Sequence, residues 1–410
     1  MYYKRDICNK IRELLNNYDC ILLTGSRQVG KSTLLINEFN EFTFHSLDNY
    51  SVYMALNEDP KTFLFEGNDK FILDEIQRLQ KIFIDLKYFI DENKRKSISK
   101  KVILTGSQKY ELMKNVSESL AGRIAIVEIA GLSDREIYTL HTKKESFLPN
   151  ANYLDDIKIN KNISNDELWD RILRGSYPEI YDKNIPDVRD FYANLTTTYV
   201  ERDVKQIINI KDELQFNQFI IALAARTGQI LNYDELARIV SVDNKTIKNW
   251  LSVLMALDII YLLQPFSLNT TKRLIKSPKI YFMDTGLASY LCGWFTKETL
   301  MNGANAGNIY ETFVVGEIIK SYRNNGIKPN IYYYRDTNSN EIDLLIYENN
   351  TLYPIEIKKT MSPNIKDIKS FKLLSDVYPT LNIGTGGLIC NSKDFMKLDS
   401  NNYLVPVEYI

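Results

Sequence analysis

"CILLTGSRQVGKSTLL", residues 20–35, is an apolar run followed by a glycine-containing turn and the start of a helix. Residues 25–32 within it match the pattern G-x-x-x-x-G-K-[ST]. The glycines let backbone N–H groups close around phosphate oxygens, and the N-terminal end of the next helix adds its partial positive charge. The stretch therefore predicts an α/β fold in which a strand, a phosphate-binding loop and a helix follow one another.

The loop also predicts which residues hold a nucleotide. We expect the phosphates to be bound by the loop and the first residues of the helix, namely Gly25, Ser26, Arg27, Gln28, Val29, Gly30, Lys31, Ser32 and Thr33. Lys31 is expected to reach the outer phosphates, and Ser32 to place its hydroxyl on Mg²⁺. ATP and Mg²⁺ are thus the expected cofactors.

Three further apolar strands supply polar residues for the same site. "KFILDEIQRL" (70–79) ends in Asp74, expected to hold Mg²⁺, and Glu75, expected to polarise the attacking water. "KKVILTGSQKYEL" (100–112) places Ser107 where a sensor of the γ-phosphate is expected, with Thr105 as a nearby alternative. "SESLAGRIAIVEIAGL" (117–132) places Arg123 directly before another strand.

With these motifs the chain resembles the AAA-type ATPases that are widespread in bacteria and archaea. The resemblance implies nucleotide roles for Lys31, Ser32, Asp74, Glu75 and Ser107. It also implies that Arg123 is an arginine finger acting on ATP bound to a neighbouring subunit, and hence a homo-oligomer. The alternative for Arg123 is a cation that compensates the dipole at a helix C-terminus.

The composition of the chain indicates its number of domains, its compartment and its possible partners. A chain of 410 residues with 44% hydrophobic and 25% charged residues predicts a soluble globular protein of two to four domains. We expect a cytoplasmic protein with no membrane partner, because no apolar run approaches about 18 residues and the N-terminus lacks a secretory signal. The basic stretches "KRKSISKK" (94–101) and "KRLIKSPK" (272–279) fit nucleic-acid binding or solvated turns equally well.

The middle of the chain is predicted to be helical. Residues 141–200 are interpreted as a helical lid or connector. In residues 201–268, two helical patterns separated by "SVDNKT" and followed by "DIIYLLQPF" indicate a winged-helix unit. Its second helix would begin near Asn244 and expose Lys245 and Lys248. Such a unit either contacts DNA or only packs against neighbouring domains.

The last part of the chain combines a helix with a hairpin. "GNIYETFVVGEIIKSY" (307–322) predicts an amphipathic helix with Glu311 near its start, and "NEIDLLIYENNTLYPIEIKK" (340–359) predicts two antiparallel strands. Asp343 lies on the first strand. On the second, Glu356 and Lys358 share one face because strand side chains alternate, and Pro354 is expected among its first residues.

This order of helix Glu, strand Asp and Glu-x-Lys resembles the PD-(D/E)xK nuclease-like superfamily. The resemblance implies a restriction-endonuclease-like α/β domain over residues 269–410, with Glu311, Asp343, Glu356 and Lys358 at its four positions. Asp343 and Glu356 would share a Mg²⁺ that activates water. Lys358 would lower the pKa of that water or stabilise the transition state, and Glu311 would complete the cluster. Two alternatives remain: a surface salt bridge, or a degenerate site that no longer cuts.

Over nearly its whole length the chain resembles a family of two-part prokaryotic ATPases with a C-terminal domain of unknown function. The expected fold is α/β: an AAA-type P-loop domain (1–140), a helical connector (141–200), a winged helix (201–268) and the nuclease-like domain (269–410). Two functions follow. Nucleotide state either controls a DNA-acting nuclease, or drives a conformational switch whose degenerate nuclease-like domain binds DNA or a protein partner.

Overall fold

The computed structural model describes residues 2–106, 112, 116, 118–140, 143–155, 157–182, 187–201, 213–269 and 276–410. The chain forms two compact units. The first comprises Met1–Leu132 with Arg323–Gly326, and the second comprises Ser133–Tyr322 with Ile327–Ile410. The finer limits expected at residues 140, 200 and 268 stay predictions. Within the described ranges, no helix has both the length and the apolar character needed to cross a membrane.

A parallel sheet forms the centre of the first unit. Its strands are β1 (Cys20–Thr24), β2 (Thr43–Ser46), β3 (Lys70–Asp74), β4 (Lys101–Gly106) and β5 (Ile124–Glu128). They lie in the order β2-β3-β4-β1-β5, and every neighbouring pair is parallel. Because parallel strands all end at one edge of the sheet, the residues that follow β1, β3 and β4 come together there.

Helices connect these strands and cover the sheet. They are α1 (Cys8–Asn17), α2 (Lys31–Glu38), α3 (Tyr50–Glu58), α4 (Pro60–Glu66) and α5 (Ile82–Lys96), and a 3₁₀ turn spans Ile76–Leu79. Phe83, Leu86 and Phe89 of α5 pack into a core with Phe71 and Leu73 of β3. All five residues of β1 are buried, as expected for a strand of a parallel sheet that is covered on both faces.

The second unit contains most of the helices. They are α6 (Asp134–Tyr138), α7 (Ala151–Leu154), α8 (Asn165–Arg174), α9 (Val188–Leu195), α10 (Glu213–Ala224), α11 (Tyr233–Ile239), α12 (Asn244–Ala256), α13 (Thr285–Leu291), α14 (Lys297–Asn302), α15 (Ala306–Arg323) and α16 (Leu373–Val377). Helix α8 begins with a complete capping box between Ser164 and Glu167, a local signal that fixes where the helix starts.

Two sheets accompany these helices. The smaller is antiparallel, in the order β6-β8-β7, with β6 (Gln229–Ile230), β7 (Ile260–Leu263) and β8 (Lys279–Phe282). The larger is mixed, in the order β14-β15-β13-β11-β10-β9, and β12 also pairs with β11. Its strands are β9 (Ile331–Arg335), β10 (Glu341–Glu348), β11 (Thr351–Lys358), β12 (Asn382–Ile383), β13 (Gly386–Cys390), β14 (Met396–Lys397) and β15 (Asn402–Pro406).

Two local expectations differ from the structure. Helix α15 is not amphipathic, since Ile309–Tyr322 are buried without interruption, the charged Glu311, Glu317 and Lys320 included. Pro354 lies inside β11 rather than among its first residues, opposite Leu345 of β10. The parallel partner of β11 changes there from β12, which pairs with Thr351 and Leu352, to β13, which pairs from Ile355 onward. A residue without an N–H is tolerated at such a break.

Candidate functional site

The loop after β1 has the backbone that phosphate binding requires. Gly30 has φ 90° and caps α2, so Lys31 begins the helix. A Cβ atom on Gly25 would lie 2.2 Å from the carbonyl oxygen of Ile129, so only glycine fits at that point. The loop therefore turns sharply, and the N-terminal end of α2 faces the concave side of the loop. This arrangement is suited to binding an anion.

Lys31 is buried inside this loop. Its Nζ donates to the carbonyl oxygens of Gly25, at 3.0 Å, and Ser26, at 2.7 Å. Burial lowers the pKa of Lys31 from 10.5 to about 8, although the nearby Glu75 and Asp74 act in the opposite direction. The ammonium therefore lies in a poorly solvated place, where an added phosphate would interact with it strongly.

Asp74 is the centre of the polar contacts at the ends of the strands. Both of its carboxylate oxygens lie 3.0 Å from Ser32 Oγ, and Oδ1 also accepts a 2.8 Å hydrogen bond from Thr105 Oγ1. Burial raises the pKa of Asp74, against the lowering effect of these two hydrogen bonds. A hydroxyl and a carboxylate side by side are hard oxygen ligands, so the residues present fit Mg²⁺ bound to a nucleotide.

Glu75 has a strained backbone. Its φ of 58° and ψ of 43° lie in the left-handed region, at the junction between β3 and the 3₁₀ turn. Its Oε2 accepts a hydrogen bond from Gln77 Nε2. Left-handed non-glycine residues are costly and are concentrated at functional sites. This supports the prediction that Glu75 has a role in the reaction.

Arg5 was not among the predicted site residues, but it binds the phosphate-binding loop through main-chain carbonyl groups. Its guanidinium is buried and donates to the carbonyl oxygens of Val29, at 2.9 Å, Ala130, at 2.7 Å, and Gly131, at 3.3 Å. It ties the phosphate-binding loop to the segment after β5. No sequence signal could have revealed it, because its partners are main-chain groups distant in sequence.

Two further residues were predicted for the nucleotide site, Ser107 and Arg123. Ser107 lies outside the described residues, whereas its alternative Thr105 is bonded to Asp74. Arg123 forms a two-pronged ion pair with Asp91 of α5, with Nε–Oδ1 at 2.6 Å and Nη2–Oδ2 at 3.0 Å. The pair is partly exposed. The role of Arg123 toward a neighbouring subunit stays a prediction.

In the second unit the four residues of the nuclease-like motif lie close together, with two additional partners. We call this group the charge cluster: Lys279, Glu311, Glu341, Asp343, Glu356 and Lys358. Lys279 Nζ lies 3.1 Å from Glu311 Oε1, and Lys358 Nζ lies 2.5 Å from Glu356 Oε1. Burial raises the pKa of Glu311 to about 7 and that of Glu356 to about 8, with repulsion from Asp343 adding to both.

The carboxylates of the charge cluster are paired with lysines and with a backbone N–H. Among the described residues no group of three or more His, Cys, Asp or Glu side chains is arranged to hold a metal ion. Asp343 Oδ2 already accepts a 2.9 Å hydrogen bond from the backbone N–H of Ile357, and Oδ1 lies 3.7 Å from Lys279 Nζ. Lysine ammonium groups therefore lie beside both carboxylates that were expected to hold Mg²⁺, Asp343 and Glu356, and the metal role of these two residues stays a prediction.

The helices proposed to form a winged helix have the expected order. The second of the pair, α12, begins at Asn244, and Lys245 and Lys248 are exposed. The following strand, β7, pairs with β8 in the small sheet. The winged-helix assignment and contact with DNA stay predictions. The first half of the basic stretch 272–279, residues 272–275, lies outside the described residues, and Lys279 at its end belongs to the charge cluster.

Comparison with known families assigns the first site to a class. Residues 17–138 match the family model of an AAA domain, residues 165–298 match a domain of unknown function (DUF8612), and residues 306–410 match a second domain of unknown function (DUF4143). The chain thus carries an AAA-type P-loop ATPase domain followed by two domains of unknown function. The expected AAA-type domain is confirmed, and the nuclease-like fold stays a prediction.

Two relatives align with this chain over most of their own length. An uncharacterized protein of Mycobacterium tuberculosis is 29% identical over 366 residues, which cover 88% of this chain and 75% of that protein. An uncharacterized protein of Methanocaldococcus jannaschii is 24% identical over 415 aligned positions, covering 94% and 86%. Among solved structures, a Walker-type ATPase of Pyrococcus abyssi is 17% identical, covers 71% of this chain and 96% of its own, and has a TM-score of 0.46.

Proposed function

We propose that this chain is a Mg²⁺-dependent ATPase whose nucleotide state switches the conformation of its C-terminal part. The observation that carries the proposal is the contact of Ser32 Oγ with both oxygens of Asp74, at 3.0 Å, beside the buried ammonium of Lys31. These are the hydroxyl, the carboxylate and the cation that binding of Mg²⁺ and nucleotide phosphates requires.

Each residue has a distinct role in this proposal. Lys31 donates to the outer phosphate oxygens, and the backbone N–H groups at the start of α2 hold the others. Ser32 and Asp74 hold Mg²⁺, which supplies positive charge against the phosphates. Thr105 keeps Asp74 oriented, and Glu75 orients the attacking water and accepts its proton.

The chain leaving the ATPase domain offers a route for the switch. Asp134, two residues after the end of the first unit, is buried in the second. Its carboxylate lies 2.5 Å from Arg171 Nε, and its backbone N–H donates to Glu317 Oε2 at 2.9 Å. A movement at the end of β5 would therefore be passed along the chain to a residue that is buried and ion-paired within the second unit.

Two variants test the ATPase proposal. Lys31→Ala should abolish binding of a fluorescent ATP analogue, because it removes the cation aimed at the outer phosphates. Glu75→Gln should bind that analogue but release no phosphate, because Asp74 and Ser32 remain while the base is lost. Phosphate release by Glu75→Gln at the wild-type rate would show that Glu75 is not the base.

A second candidate function is a Mg²⁺-dependent nuclease at the charge cluster, acting on DNA. One observation favours it: Glu356 Oε2 is buried and has no hydrogen-bond partner among the described residues, so an oxygen remains to bind a cation. The lysines that pair with the carboxylates count against it.

Plasmid, linear duplex and single-stranded DNA incubated with the protein in Mg²⁺ or Mn²⁺, with and without ATP, distinguish the two functions. The nuclease predicts cleavage that stops in EDTA and in Asp343→Ala or Glu356→Ala while ATP hydrolysis continues. Intact DNA under all of these conditions would leave the switch as the function.

A further inference from the structure

Lys279, at the start of β8, lies among the carboxylates of the charge cluster. Its side chain is 3% exposed. Its Nζ lies 2.5 Å from Glu341 Oε1, 3.1 Å from Glu311 Oε1 and 3.7 Å from Asp343 Oδ1. Since lysine is almost never buried unless it is paired, this ammonium is held by its acidic partners.

The position of Nζ decides what else the carboxylates can bind. A Mg²⁺ ion requires oxygens about 2.0–2.1 Å away in near-octahedral geometry. Here Glu311 and Asp343, two of the four residues of the nuclease-like motif, both approach one ammonium instead. A dication beside that ammonium would be repelled by it at short range in a poorly solvated interior, where such repulsion is strong.

The other half of the charge cluster is neutralised in the same way. Lys358 Nζ lies 2.5 Å from Glu356 Oε1 and 3.9 Å from Asp343 Oδ2. Each carboxylate of the expected metal site therefore has a lysine partner, and Asp343 has one on each of its two oxygens.

We infer that Lys279 is the resident cation of this cluster, taking the place that a divalent metal would need, so that the second unit is held together there without metal. The inference does not depend on the ATPase proposal. It identifies Lys279 as the residue that distinguishes this cluster from a metal-dependent site that uses the same carboxylates.

The test is Mn²⁺ binding to the full chain without nucleotide, measured by electron paramagnetic resonance of the free ion. Wild type and Asp343→Asn should bind equal amounts of Mn²⁺, because the charge cluster contributes no site. Lys279→Met should bind one further ion per chain, and Lys279→Met/Asp343→Asn should lose it. Lys359→Met, which removes an exposed neighbouring lysine, is the matched control and should behave as wild type.

Thermal unfolding gives a second measurement. Lys279→Met should unfold at a lower temperature than wild type, because the buried Glu311 loses its ammonium partner and keeps only the hydrogen bond from the Tyr281 hydroxyl, and Mn²⁺ should restore part of the loss in that variant only. Wild type that binds one more Mn²⁺ than Asp343→Asn would overturn the inference. So would a Lys279→Met chain that gains no ion, or that stays unfolded with and without Mn²⁺.

Discussion

Replacing Lys31 with methionine should stabilise the nucleotide-free first unit while abolishing nucleotide binding. Methionine matches the length of the lysine stem and carries no charge. Burial lowers the pKa of Lys31 from 10.5 to about 8. A pKa difference of this size means that keeping the buried lysine charged costs about 3 kcal/mol of folding free energy. Losing the two hydrogen bonds to Gly25 and Ser26 offsets about 1–3 kcal/mol of this. We expect a net gain of about 1 kcal/mol near neutral pH.

The dependence on pH follows from the same pKa. Below about pH 8 the lysine is charged in both the folded and the unfolded chain, so the full cost of burying the charge is present. Between about 8 and 10.5 the folded chain releases the proton first, so the wild-type free energy of unfolding rises with pH. The advantage of Lys31→Met should therefore shrink across this window and disappear above it.

Cys20 provides a probe confined to this unit, because it is fully buried in β1. Pulsed alkylation across a urea titration, with labelled Cys20 quantified by mass spectrometry, gives the unfolding midpoint at each pH. Lys87→Met removes an exposed lysine of α5 and should change stability by less than about 0.5 kcal/mol. The reasoning is refuted if Lys31→Met is less stable than wild type at neutral pH, or if the difference between them does not change with pH.

Two further predictions concern the same domain. Arg123→Ala should bind ATP without hydrolysing it, and mixing it with Lys31→Ala should restore some phosphate release; no recovery would mean that Arg123 does not act across a subunit interface. Arg5→Ala should destabilise the first unit by about 3 kcal/mol in the Cys20 assay, because carbonyls such as that of Val29 lose a charged donor. Arg5→Lys should lose less, and equal losses in the two variants would show that these hydrogen bonds do not carry the effect.

The arrangement of the candidate nucleotide site could be predicted from sequence because its parts are local. A glycine turn between a strand and a helix fixes where Lys31 and Ser32 lie, and an apolar run ending in Asp74 marks a second parallel strand. Parallel strands end at one edge of the sheet, so their last residues lie along that edge. The contact between Ser32 and Asp74 also requires that β1 and β3 lie near each other in the sheet, where β4 alone separates them, and neither motif fixes that strand order.

Arg5 and Lys279 could not be predicted in this way. Each stands in an ordinary stretch of sequence, and each acquires its partners only when distant segments pack together. The burial of α15 has the same origin. Glu317 pairs with Lys320 at 2.7 Å and lies 3.4 Å from Arg171 of α8. These charged side chains of α15 are therefore paired within the protein and do not require contact with solvent. A pattern of apolar spacing within one helix contains no information about such partners.

The lysine also changes what the charge cluster does for the second unit. Glu311 belongs to α15 and Asp343 to the large sheet, whereas Lys279 belongs to β8 of the small sheet that pairs with the strand following α12. A metal held by Glu311, Asp343 and Glu356 would join one helix to one sheet. The ammonium of Lys279 additionally joins the two sheets, because its own backbone lies in the small one. Breaking a buried pair of this kind costs about 3–5 kcal/mol, so Lys279 strengthens a connection that the backbone hydrogen bonds of Tyr333 with Gln264 and Phe266 also make. Substitution of Lys279 should therefore loosen the connection between the helix–turn–helix segment and the C-terminal sheet even where no DNA is cut.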